Sequence, residues 1–162
     1  MGISITIIAE SRDDTGSFAG THVVFTDDEH DADENELAST VLDALLVRNF
    51  DRYAFLAGQT NNAGIRPISP PRGLPEDASL IARELSSLMG TDAWGRSWLT
   101  IDELMAFDYD QPLRFLDGFC PATNLPAKAA GTYRQMLGDE MILAVRELKA
   151  RRFERLVIWF DG

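Results

Sequence analysis

The chain has 162 residues, 45% of them apolar, and carries 26 Asp and Glu against 15 Lys and Arg, for a net charge of −11. That length suits one compact domain, 1–162, with a hydrophobic core that needs no disulfide or metal staple. The charge opposes direct binding to DNA, RNA or anionic membranes, which reward positive charge, and leaves basic protein partners, a small ligand in a locally basic pocket, or plain solubility.

The single cysteine, Cys120, leaves no internal disulfide and fits a reducing compartment. No basic n-region precedes the first apolar segment, and no apolar run approaches a membrane span. The expectation is a cytoplasmic protein. Its basic residues are nearly all arginine, the lysines being Lys128 and Lys149, and guanidinium forks suit phosphate and carboxylate.

Ile3, Ile5 and Ile7 alternate with Ser4 and Thr6, the period-two signature of a strand. Turn chemistry over 11–17 and a second strand from Thr21 to Phe25 complete an N-terminal hairpin. Seven acids crowd residues 26–36, which predicts a solvated, mobile loop. Its Asp31-Ala-Asp33-Glu-Asn35 start resembles a calcium loop, but Glu36 stands where Gly is needed and Leu42 where the bidentate Glu belongs. Leu37, Val41, Leu45 and Leu46 then form a helical face, and a short helix follows from about Asp51 through Tyr53, Phe55 and Leu56, stopped by Gly58.

Residues 58–76 are non-periodic and hold four of the seven prolines. So long a loop within a domain is often functional, and its prolines stiffen it. Asp77 opens a helix whose apolar side is expected to carry Leu80, Ile81, Leu85, Leu88 and Met89. The segment Thr91–Thr100 follows without an assigned element, and Thr100-Ile-Asp-Glu103 fits a capping box. Residues 108–125 are irregular, and 126–150 are helical with a break near Gly138. The continuous apolar run Leu156–Phe160 predicts a strand buried on both faces and central in its sheet. The expected fold is α+β: a mixed or antiparallel sheet made by the N-terminal hairpin and the C-terminal strand, packed by four to five helices.

No Gly-rich phosphate loop, nucleophile elbow, CxxC pair or HExxH is present, and His22 and His30 have no second ligand at metal spacing. No cofactor and no metal are expected, Cys120 reads as a buried structural thiol, and no general base can be identified. The clearest chemical signal is polar and aromatic: Arg48, Asn49 and Tyr53, then Asn61, Asn62, Arg66 and Arg72, then Trp94, Arg96 and Trp98. Arginine clamps phosphate, indole or phenol stacks on a base, and Asn reads a base edge. The competing structural reading puts the tryptophans in the core and pairs the arginines with the surplus acids.

Four strings resemble a family of phage and prophage proteins: Arg48-Asn-Phe-Asp-Arg-Tyr-Ala-Phe-Leu-Ala57, Pro67-Ile-Ser-Pro-Pro-Arg-Gly-Leu-Pro-Glu-Asp-Ala-Ser79, Ser97-Trp-Leu-Thr-Ile-Asp-Glu-Leu104 and Leu156-Val-Ile-Trp-Phe-Asp161. The family implies no settled activity. Its members often carry Asp-x-His near the start and His-Ser-His before Trp-Leu-Thr; here Ser4 and Thr6, then Trp94 and Arg96, stand instead. Chemistry that used those histidines would be lost, which favours a binder over an enzyme.

The leading expectation is therefore a phage-type protein, in the host cytoplasm if phage-encoded, that binds a small phosphorylated or nucleotide ligand and sequesters an immune signal as a counter-defence protein. Its ligand site can be shared between subunits of a homo-oligomer. The alternatives are an acidic protein-interaction module or inhibitor that mimics nucleic acid, and an enzyme acting on nucleotides or phosphoesters.

Overall fold

A computed structural model describes residues 3–24, 50–117 and 131–162. The acidic segment 26–36, the helical face from Leu37 to Leu46, and Cys120 lie outside them. The described strands are β1 (Ser4–Arg12), β2 (Phe18–Val24), β3 (Trp94–Thr100) and β4 (Arg155–Asp161). They form one sheet in the order β2-β1-β4-β3, every pair antiparallel. The described helices are α1 (Phe50–Ala57), α2 (Leu80–Met89), α3 (Ile101–Ala106), α4 (Tyr133–Leu137) and α5 (Asp139–Ala150). The fold is α+β, and of the two sheet types allowed by the sequence the antiparallel one forms.

The hairpin closes over Asp13, whose Oδ1 accepts from the Thr15 and Ser17 amides at 2.8 and 3.0 Å, while Gly16 supplies the positive φ of +82°. The second strand begins three residues before the expected Thr21, because Arg12 pairs with Phe18 and so extends the ladder toward the turn. β4 lies between β1 and β3 and is buried from Arg155 to Phe160, as its unbroken apolar run requires.

β3 is the strand that periodicity does not reveal. Trp94 pairs with Phe160 but Ser97 with Ile158, so the ladder holds one extra residue at Gly95–Arg96. Gly95 has φ +62°, and a Cβ there would stand 2.7 Å from the Gln59 side chain. Such a bulge shifts the alternation by one. Trp94 and Trp98 would share a face in a regular strand; here Trp94 packs with Phe160 and Trp98 with the Val157 cluster on the other side.

Alternation sorts the core into two layers. Ile5, Ile7, Leu99, Leu156, Ile158 and Phe160 face α1, α3, α4 and α5, where Phe55, Phe107, Tyr109 and Tyr133 form an aromatic cluster. Each fully buried large side chain of this kind contributes about 1.5–3 kcal/mol. The opposite face presents Ile8, Val157 and Trp159 to Ala82 of α2 and to Ala78 just ahead of that helix. Helix α2 starts on Ser79, whose hydroxyl accepts from the Ala82 amide. Its buried side differs from the expected one: Ile81, Ala82, Leu85, Ser86 and Met89 turn inward, whereas Leu80 and Leu88 are 63% and 82% exposed. Residues 80 and 88 lie two turns apart on one stripe, and 81, 85 and 89 follow the neighbouring stripe that meets the sheet. The capping box at Thr100 and Glu103 forms with both of its bonds, and Gly138 separates α4 from α5.

Candidate functional site

Helix α2 covers only part of its face of the sheet. Beyond it the register brings together the ends of all four strands: Arg12 opposite Phe18, Glu10 opposite Gly20 and Arg155, and Arg155 opposite Thr100. Directly paired residues share a face, and Arg12, Phe18, Thr100 and Arg155 line one hollow of about 560 Å³. The Pro-rich segment completes its rim with Arg72, Leu74, Pro75, Glu76 and Asp77.

At the base lies a buried ion pair. Glu10 is fully buried and Arg155 is 5% exposed. The Arg155 Nε donates to Glu10 Oε2 at 2.7 Å, and Nη1 donates to Asp77 Oδ1 at 2.7 Å. Glu10 Oε1 accepts the Ser79 amide at 2.7 Å. Gly20 permits that approach, since a Cβ there would fall 2.6 Å from the Ser79 hydroxyl. A buried charge is tolerated only when paired and hydrogen-bonded on its remaining lone pairs, and here both conditions hold.

Above this base, guanidinium groups and aromatic rings associate. Arg155 stands 3.8 Å from the centroid of Phe18 and 5.7 Å from that of Trp98. Arg12 lies 4.2 Å from Phe18, and Arg72 lies 4.7 Å from Trp98. Such contacts are worth roughly 0.5–2 kcal/mol according to their exposure. Arg12 also reaches Glu154 at 3.3 Å and donates to the Gly16 carbonyl.

Arg72 is held from three sides. Its amide donates to the Ser97 hydroxyl at 3.2 Å, and the adjacent Gly73 amide donates to Arg96 O at 2.9 Å, which binds the Pro-rich segment to the edge of β3. Its guanidinium engages both oxygens of Glu103. The same carboxylate accepts the Thr100 amide at 2.9 Å and so caps α3. The Arg72 hydrogen bond, aided by Thr100 and opposed by partial burial, holds the Glu103 carboxyl down at about 2. Arg155 likewise holds the Asp77 carboxyl below the usual range.

Of the ten residues singled out from sequence, the eight that lie among the described residues do not converge. Arg72 and Trp98 line the cleft. Tyr53 and Trp94 pack against Phe160 in the core beneath the other face, with ring centroids at 5.4 and 5.3 Å. Arg96 closes the end of α2, donating to Ser86 Oγ at 2.8 Å, to Gly90 O at 2.6 Å and to Ala93 O at 2.5 Å. The Asn61 side chain bonds both the amide and the carbonyl of Ile65, at 2.7 and 2.6 Å. Asn62 is exposed near the same turn, and Arg66 faces solvent with Asp117 at 3.4 Å. Arg48 and Asn49 lie outside the described residues. Arg12, Phe18 and Arg155, which the sequence reading does not select, complete the cleft.

Comparison with family models, with curated proteins and with solved structures finds no match for this chain. Among the described residues no helix is long and apolar enough to cross a membrane.

Proposed function

We propose that this protein binds a small nucleotide-derived ligand in the cleft between Phe18 and Trp98. The observation that carries the reading is the gathering of Arg12, Arg72 and Arg155 with two aromatic rings around one hollow. The volume falls within the range of small-ligand pockets. Glu103 and Glu154 fix the directions of Arg72 and Arg12 without exhausting them. Among the described residues nothing accepts from the Arg72 Nε or the Arg12 Nη2, and a guanidinium has five N–H donors to give. The half-buried rings of Phe18 and Trp98 supply apolar, stackable surface. The resemblance to phage proteins includes the Pro67–Ser79 string, whose Arg72 lines the cleft, and the residues Ser4, Thr6, Trp94 and Arg96 in place of that family's histidines favour sequestration of a signal over its turnover.

Thermal shift against cyclic oligonucleotides and ADP-ribose derivatives at about millimolar concentration tests the reading, because a ligand selective for the folded state raises the melting point. At least one member should stabilise the protein, and Arg72→Ala should weaken that binding by about 1.5–3 kcal/mol, the worth of a charged hydrogen bond. The ligand should be recovered intact after denaturation. No shift with any member removes the proposal, and recovery of a converted product makes the protein an enzyme.

A further inference from the structure

Carboxylates match guanidinium groups in the lining of the cleft and outnumber them once the acids bound behind it are included. Arg12, Arg72 and Arg155 are its cations, while Glu76, Asp77 and Glu154 stand in the same lining. Two further acids, Glu10 and Glu103, bind Arg155 and Arg72 directly. Each arginine therefore already has a carboxylate partner, and among the described residues no additional Arg or Lys lines the hollow. Glu76 is exposed and forms no ion pair or hydrogen bond with any described residue. Asp77 directs one oxygen to Arg155. The whole chain, these groups included, carries −11.

We infer that the cleft selects its ligand by low charge, accepting a phosphodiester or phosphomonoester of total charge no greater than about two and rejecting nucleoside di- and triphosphates. The inference rests on the reading of the cleft as a site for a phosphorylated ligand. One anionic group can take the donors left on Arg12 or Arg72. Each further charge meets Glu76, which no described cation offsets, and competes with Glu154 for Arg12. The same carboxylates are acceptors for uncharged donors, so ribose hydroxyls and exocyclic amino groups match the lining in a way that a polyphosphate tail does not.

Titration calorimetry with adenosine, 3′,5′-cyclic AMP, AMP, ADP and ATP, at fixed ionic strength and without divalent cations, provides the test. Affinity should rise from adenosine to cyclic AMP or AMP. It should then fall about threefold for each added charge, the factor carried by a unit-charge repulsion across largely aqueous surroundings. Glu76→Gln, which removes a carboxylate bonded to none of the described residues, should flatten the fall toward ATP. A climb from AMP to ATP overturns the charge selection and leaves the site standing, as does equal binding of adenosine and AMP. An unchanged ATP-to-AMP ratio in Glu76→Gln also counts against the selection. If all five are silent, the charge of the strongest binder in the wider panel decides: above about two it overturns the inference, at or below two it supports it. Silence across both sets overturns the site itself.

Discussion

The two faces of the sheet differ in how completely they are closed. One is covered by α1, α3, α4 and α5 and sealed by an aromatic cluster that leaves Phe55 fully buried. Among the described residues the other carries α2 and a Pro-rich segment, which leave a cleft at one end of the sheet above the buried Glu10–Arg155 pair. The covered face is dominated by apolar packing. At the cleft, ion pairs and cation–ring contacts hold the described residues together. The cleft lies where polar groups of the described residues are satisfied by one another.

That contrast can be broken experimentally. Arg155→Met should lose about 3–5 kcal/mol in urea denaturation, because it leaves Glu10 buried without its partner. Adding Glu10→Leu should restore a large part, since an apolar pair of similar volume substitutes well for a buried ion pair. Failure of the second change to help would mean that the pair contributes net stability. Phe55→Ala on the covered face should cost about 3–5 kcal/mol, and Leu85→Ala on the opposite face, where the side chain is half-buried, roughly 1–2 kcal/mol. Equal losses would erase the difference between the layers.

Two smaller effects sharpen the comparison. Gly95→Ala should destabilise by about 1–2 kcal/mol through its positive φ and its crowding of Gln59, read from the unfolding midpoint. The smallest effect is acidic. Glu103 has a folded value of about 2 against an ordinary 4.5, so its contribution is complete above 4.5 and is lost as the pH falls toward 2. The group is over a third exposed and its pairing is screened, so the loss is modest. Glu103→Gln should narrow the drop in unfolding midpoint across that window, and an identical drop in both proteins would assign it elsewhere.

Much of the scaffold is legible in the sequence because it depends on local pattern. Isoleucine alternation marks β1, the unbroken run to Phe160 marks the central strand, and Thr100-Ile-Asp-Glu103 marks a helix start. β3 is hidden because Gly95 and Arg96 interrupt its alternation at the point where the chain bulges. The cleft is mostly hidden for a different reason. Arg12 and Phe18 read as the surroundings of a turn and Arg155 as the residue before a strand; only strand register brings them together. Arg72 and Trp98 stand out because both lie in conspicuous polar–aromatic strings. Arg96 and Asn61 stand out equally and turn out to satisfy backbone groups. Residue type alone does not separate a side chain that awaits a ligand from one that closes a helix.

The pairing of Glu10 with Arg155 spans 145 positions. During synthesis at about 5–20 residues per second, the carboxylate waits roughly 7–30 s for its guanidinium to be made. Until then, burying Glu10 is unfavourable, and the first hairpin cannot be covered on that side by Ser79 and α2 without leaving an uncompensated charge. Docking of the last strand is thus the event that licenses the rest of that layer, and a nascent chain stalled before Arg155 should remain open to protease near Glu10 after its upstream elements have been translated.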